Sequence, residues 1–418
     1  MAFAVAIFVV ALGVIASERV DRTKVALVGA VLVLLTQTID QERAIEAIDW
    51  NTLGLLAGMM LMVKLTETTG VYTYLAIRAG QLSQGRPLAV VACLAGTTAL
   101  LSAFLDNLTT VLLVVPITFL LADALDIDAL PLVIIEVIAS NIGGTATLIG
   151  DPPNILIAGA TGLSFAQFAV NLAPVALITF LAVTGALYLV YRPRLQVAPQ
   201  ARDRVLALDA DRSIEDADEL KRTVPILVLT IFVFFFHKAL HLEPATVALA
   251  GATAMLLITR QSVDKALAGI EWPTLFFFIG LFVMVGALEE RGAIKEIADA
   301  VGTLTGGNRS AELLGITWVS ALGSAVVDNI PFTATMIPVV EQLQSGNAGD
   351  DAYWWALAIG ACFGGNATLI AAAANVAAAG MAARAGQPIG FITFLKAGLP
   401  ATLLSVAIGS LYIAVRYL

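Results

Sequence analysis

Two short pairs, Asp106-Asn107 and Asp328-Asn329, each lie in the middle of a long apolar stretch, 328 − 106 = 222 residues apart. An Asp at mid-membrane depth costs about 2.5–3.5 kcal/mol on insertion scales, so a carboxylate kept there serves a purpose. It can titrate a proton or coordinate a cation. It can also cap the helix that follows, by accepting from orphan amides. The two uses are compatible. Asn107 and Asn329, with Thr109, Thr110 and Thr333 nearby, add neutral hydrogen-bonding groups, suited to a polar solute or to ordinary turn and cap bonds.

A second pair of motifs is repeated at 364 − 143 = 221. Gly143-Gly144-Thr145-Ala146-Thr147-Leu148-Ile149 returns as Gly364-Gly365-Asn366-Ala367-Thr368-Leu369-Ile370. Glycine lets backbone amides and carbonyls face a ligand, and the half-helix end beside it carries a partial charge. Gly143, Gly144, Thr145, Thr147, Gly364, Gly365, Asn366 and Thr368 are therefore candidate substrate contacts. The competing use of the glycines is close helix packing. Asn154 and Asn375 follow the two motifs at matching places and join the candidates. Asp151 has no acidic counterpart in the second copy; it is either a coupling carboxylate or an interfacial stabiliser. Glu136, also unmatched, is either a proton relay or a partner for a helix terminus.

These motifs belong to a longer repeat. Lys24-Val25-Ala26-Leu27 is echoed by Thr246-Val247-Ala248-Leu249, and Asp49-Trp50-Asn51-Thr52-Leu53 by Glu271-Trp272-Pro273-Thr274-Leu275. The chain is 59% hydrophobic and 13% charged, with a mean hydropathy of +0.90, which excludes a soluble domain. An apolar chain made of two copies, with polar and Gly-rich breaks at matching places, carries the signature of a secondary transporter.

Spans of roughly 20 apolar residues position these groups. The first copy supplies them at 2–16, 24–39, 51–67 and 166–191; the second at 223–240, 243–259, 272–289 and 391–415. Glu18 and the charges after it, with no small-residue cleavage pattern, mark the first run as a retained helix rather than a signal peptide. Amphipathic stretches at 70–85 and 291–307, with Arg78, Arg86, Arg291, Lys295 and Arg309 in or beside them, are expected to lie in the interface. The segments 88–121 and 311–344 are each too long for one span. Each is expected to be a re-entrant hairpin with Asp-Asn at its tip, which irregular backbone permits only where protein or water surrounds it. Each Gly-Gly opens a spanning helix. Pro152-Pro153 holds the first break open, and Ala372-Ala373-Ala374 at the corresponding place makes the second break shorter and less charged.

The fold class is therefore all-α integral membrane: two inverted-topology repeats of about five spans, each with a re-entrant hairpin and a broken helix. The repeats cover 1–192 and 223–418, joined by a linker at 193–222. An odd number of spans reverses the second copy, so the hairpin tips can meet near the midplane. Arg192, Arg194, Arg202, Arg204, Arg212, Lys221 and Arg222 place 192–222 in the cytoplasm and both termini outside, with Arg19, Arg22, Lys24, Lys64, Arg78 and Arg86 also inside and the outer loops poor in positive charge except around Arg291, Lys295 and Arg309. Lys64, Glu67, Glu289 and Glu290 are expected to snorkel at span ends. His237 and His241 are expected at the interface, too far apart for a metal site.

Cys93 and Cys362 each sit in an apolar segment, which argues against disulfides and CxxC chemistry. No cofactor, metal or nucleic acid is called for.

The run Asn141-Ile142-Gly143-Gly144-Thr145-Ala146-Thr147-Leu148-Ile149-Gly150-Asp151-Pro152-Pro153-Asn154 resembles the signature of the ion transporter superfamily, in its arsenite permease and melanosomal P-protein branch. Phe104 to Thr110 and Val327 to Thr333 resemble that branch's two hairpin tips. The resemblance implies a substrate between the tips and the breaks, and a transport part moving against a scaffold that is often dimeric. It implies as substrates arsenite and antimonite, exported across the cell inner membrane against protons, and leaves an ATPase subunit open. Uncharged arsenite suits Asn, Thr and backbone groups, whereas an acidic tip repels a dicarboxylate. A sodium/proton antiporter or another anion carrier of the superfamily is the alternative. An intramembrane enzyme does not need a duplicated Gly-Gly break, and a channel usually builds its filter from subunits around a pore, whereas this chain encloses two pseudo-symmetric half-sites.

Overall fold

A computed structural model describes the chain apart from Glu18, Ala198 and 345–348; the side chains of Pro199, Gln200 and Arg202 also lie outside it, so two of the charges invoked above, Glu18 and Arg202, are not placed. The described residues form helices and connecting turns. The first part runs α1 (Ala2–Ala16), α2 (Arg22–Leu35), short α3 (Gln41–Glu46), α4 (Trp50–Glu67), α5 (Val71–Leu82), α6 (Pro87–Ser102), α7 (Asn107–Leu125), α8 (Ala129–Gly144), α9 (Pro152–Thr161) and α10 (Phe165–Tyr191). The connection holds α11 (Pro199–Leu206). The second part repeats the order: α12 (Ala217–Phe236), α13 (Pro244–Ile258), short α14 (Val263–Ala268), α15 (Trp272–Glu290), α16 (Ala293–Thr305), α17 (Arg309–Val326), α18 (Asn329–Gln344), α19 (Ala352–Gly364), α20 (Ala373–Arg384) and α21 (Phe391–Tyr417).

Asn107–Leu125, α10, α15 and α21 are long and apolar enough to cross a bilayer, and α1, α6, α8, α13 and α19 are shorter apolar helices. Helix α19 is buried along its whole length and α8 at every residue but Leu130. Helices buried on every side belong in the centre of a membrane protein, and these two carry the Gly-Gly motifs. By contrast α10 and α21 expose Leu177, Leu181, Leu189, Leu403, Leu411 and Val415.

The packing is reciprocal. Helix α2 lies on α15 and α4 on α13; α6 packs on α8 and α17 on α19; α20 contacts α7 as α18 contacts α9. Individual bonds repeat too. Ser102 Oγ donates to Ser140 O at 2.8 Å and Ser324 Oγ to Ala361 O at 2.7 Å. Thr147 Oγ1 donates to Ala103 O, as Thr368 Oγ1 does to Ala325 O. These ties fasten each break to the first arm of its own hairpin. Gly143 and Gly364 make the approach possible: a Cβ on either would overlap the backbone of Ala99 or Ala321.

Several expectations are corrected. The second break is not the shorter one: residues 365–372 separate α19 from α20, against 145–151 in the first copy. Two prolines are not needed to hold it open, because Asn375 Nδ2 bonds to Gly365 O and Thr368 O at 2.8 and 2.9 Å. It does lack a carboxylate. The span expected at 223–240 is α12, which begins inside the linker, because Asp216 caps it by accepting from the amides of Asp218 and Glu219. The span expected at 24–39 stops at Leu35. His237 is buried rather than interfacial: its Nε2 accepts from Phe165 N at 3.3 Å, and its Nδ1 lies 2.8 Å from Leu242 O. The stretch at 70–85 also does more than cover the surface, since Tyr72, Ala76 and Ile77 of α5 are buried where it packs on α6 and α7.

Candidate functional site

The polar groups of the two hairpin tips and the two breaks meet in one buried cluster. Helix α7 starts at Asn107 because Asp106 caps it, accepting from Thr109 N at 2.8 Å and from Thr109 Oγ1. That places Asn107 in the first turn, aimed at α8. Its Nδ2 donates to Asn141 Oδ1 at 3.0 Å and to Asp151 Oδ1 at 3.3 Å. From the other hairpin, Asn329 Nδ2 donates to the same Asp151 oxygen at 3.2 Å. Asn141 Nδ2 then crosses to the second copy, reaching Asn366 Oδ1 at 2.9 Å and Asn375 Oδ1 at 3.0 Å.

Asp151 is the hub, and a local reason puts it there. It precedes α9, where an Asp ordinarily turns back to cap the first amides. Here Pro152 and Pro153 have removed two of those donors, and the Asp151 side chain makes no cap bond. Its carboxylate is free to face inward. Oδ1 is shared by both hairpin tips, while Oδ2 is buried without a hydrogen-bond partner of normal geometry among the described residues, and the Cys362 thiol lies beside the carboxylate. No Lys or Arg pairs with it among the described residues. A carboxylate oxygen held this way can take a proton or coordinate a cation.

Two other buried acids have partners of their own. Asp328 accepts from Ile330 N at 3.0 Å and pairs with Arg22 at 3.0 Å. Glu136 is buried with both oxygens 2.7 Å from Thr118 Oγ1, between α7 and α8 and away from the asparagines. Among the described residues no group of three His, Cys, Asp or Glu is placed to hold a metal ion.

The remaining candidates divide between lining and bracing. Asn154 Nδ2 braces the first break as Asn375 does the second, donating to Thr145 O and Thr147 O at 3.1 and 2.8 Å, and its Oδ1 accepts from Cys362 at 3.7 Å. Thr145 Oγ1 bonds back to Asn141 O at 2.9 Å. Thr147 and Thr368 fasten breaks to hairpins, as described. Gly144 faces Gly150 O across the break, whereas Gly365 faces the more open space beside Cys362 and the Asn329 amide.

Asn141 and Arg22 were not among the sequence candidates. Asn141 carried a signal: a lone amide in an apolar helix, two residues before Gly-Gly, whose counterpart at 141 + 221 is Cys362. Arg22 carried none, since one more Arg near a helix end reads as an interfacial charge.

The family model for CitMHS, described as citrate transporter, matches residues 12–360. The chain belongs to this citrate transporter family. An uncharacterized transporter of Mycobacterium tuberculosis is 43% identical over 99% of the chain and 98% of its own length. A 46 kDa membrane protein of Mycobacterium leprae is 39% identical over 99% and 98%. The human P protein is 33% identical over 96% of the chain and 58% of its own length, so the likeness to the P-protein branch of the superfamily holds. The crystal structure of the YdaH transporter of Alcanivorax borkumensis, reported to have an unusual topology, superposes with a TM-score of 0.62 at 17% identity, over 92% of this chain and 88% of that one. That likeness shows the fold. As a member of the citrate transporter family, the chain is a multi-pass transporter of the cell membrane.

Proposed function

We propose that the chain is a secondary active transporter that works by alternating access and moves a small polar solute in exchange for a cation, with efflux of arsenite or antimonite against protons as the leading case. The observation that carries this is Asp151, a buried carboxylate held at one oxygen by both hairpin tips, whose other oxygen has no cation or amide on it among the described residues and only the Cys362 thiol nearby. A cation or proton joining Oδ2 changes the charge at the point where the two hairpins meet, and so biases which tip is held. The surrounding asparagines offer neutral donors and acceptors, which suit an uncharged trihydroxide. In this reading Asn107, Asn141, Asn329, Asn366 and Gly365 contact solute, Asp151 and Asp106 serve the coupling ion, and Glu136 takes no part. The repeats 1–192 and 223–418 are inverted, and the linker 193–222 is cytoplasmic.

A citrate-class anion is the second reading. Arg22 favours it, as a guanidinium lining a cavity of about 420 Å³ together with Asp21, Leu108, Asp328 and Ile370, and so does the family description. Uptake into everted vesicles decides between them, comparing arsenite, antimonite, sodium and citrate with and without an imposed pH gradient. Arsenite accumulation driven by the gradient supports the leading case. Citrate flux alone selects the second, and sodium flux without either solute selects a sodium/proton antiporter.

A further inference from the structure

The two hairpin tips have the same sequence pair but not the same electrostatics. At the first tip, Asp106 is held by Thr109, and no Lys or Arg among the described residues forms an ion pair with it. At the second, Asp328 pairs with the guanidinium of Arg22, which reaches in from the start of α2 and rests over the Phe277 ring at 5.2 Å. Both partners are largely shielded, with side-chain exposures of 24% and 10%. The repeat does not duplicate this device: the position corresponding to Arg22, 22 + 222, is Pro244. Asp106 and Glu271 face the same guanidinium across a small cavity, and Asp21 faces it on the outer side.

We propose that Arg22 is a fixed counter-cation built into one half of the site, so that Asp328 is permanently paired and the mobile coupling ion is served by the Asp106–Asp151 half alone. The proposal rests on the cation-coupled reading above. Its physical basis is occupancy: a carboxylate already bonded to a tethered guanidinium offers a mobile ion far less than one with a free oxygen. Removing one partner of a shielded pair leaves an uncompensated charge, which a mobile cation would then fill. Arg22 is thus a positioning residue that sets how many ions the site takes.

The test is the dependence of transport on the driving cation, proton or sodium, in reconstituted vesicles, with cation-dependent melting of the purified protein as a second readout. Arg22→Gln opens a second cation place, so the Hill coefficient rises from about 1 toward about 2, the number of sites. Arg22→Lys keeps the parent's steepness. Arg22→Gln/Asp328→Asn leaves no lone charge; at whatever rate it runs, its flux still follows the imposed gradient with the parent's steepness. A folded Arg22→Gln protein with unchanged steepness overturns the proposal. So does a double variant that has lost coupling, because Asp328 itself would then be the ion ligand; this arm decides the matter if the single variant does not fold. A parent protein that ignores every imposed cation gradient instead overturns the coupled reading on which the proposal stands.

Discussion

Asn329, at the tip of the second hairpin, donates to Asp151 in the break of the first copy at 3.2 Å, and Asn107 of the first hairpin donates to the same oxygen at 3.3 Å. One carboxylate therefore holds both tips. If the tips move in turn, they release Asp151 in turn.

Replacing Asp151 by Asn keeps an acceptor oxygen for the two amides but removes the charge. Gradient-driven flux should fall by about tenfold or more, equivalent to about 1.4 kcal/mol, while the melting temperature stays near the parent's. Unchanged gradient-driven flux in Asp151→Asn vesicles would refute the coupling role.

Asp106 is both a cap and a charge, and two substitutions separate these roles. Asp106→Asn preserves the cap on Thr109 N, so the protein should fold and lose only cation dependence. Asp106→Ala should cost a further ~1 kcal/mol in stability. Equal cation dependence in the parent and Asp106→Asn would reduce Asp106 to a cap.

The glycines at the breaks should not respond alike. Gly143→Leu and Gly364→Leu drive a side chain into the backbone of Ala99 or Ala321, and both should lower expression and stability. Gly365 has more room, with Cys362 O at 3.2 Å and Asn329 Nδ2 at 3.5 Å from an added Cβ. Gly365→Ala should fold and lose solute-induced stabilisation. Thermal melting with and without solute separates the cases, and a Gly365→Ala protein that binds normally would assign this glycine to packing.

Cys362 occupies the place that Asn141 holds in the other copy, touching Asn154. Cys93 is half-buried on α6. A protein lacking both thiols should still transport arsenite, because a single thiol at the site cannot supply three thiolates. Loss of arsenite flux in a well-expressed cysteine-free protein would point to thiol ligation at Cys362.

A cysteine placed at 204 should be protected from impermeant thiol reagents in intact cells, since 192–222 is expected in the cytoplasm. Labelling from outside would invert the proposed orientation.

The sequence by itself determined the elements. Apolar length and the 222-residue echo marked the helices, and Asp-Asn and Gly-Gly marked the tips and breaks, because caps, glycines and prolines act within a turn or two of themselves. It also supplied most of the asparagines in the cluster. What only the tertiary structure decided was which way each side chain faces a partner far away in the chain. Asp106 and Asp328 look equivalent in sequence, and each accepts from an amide of the helix that follows, yet among the described residues only Asp328 is also bonded to an arginine, Arg22, 306 residues distant. Asp151 and Glu136 look equally unmatched, yet Asp151 joins both tips while Glu136 is spent on Thr118. A helix repeats its faces every 3.6 residues, so local pattern fixes what shares a face but not which face meets another helix. That choice is made only when the two copies pack against each other.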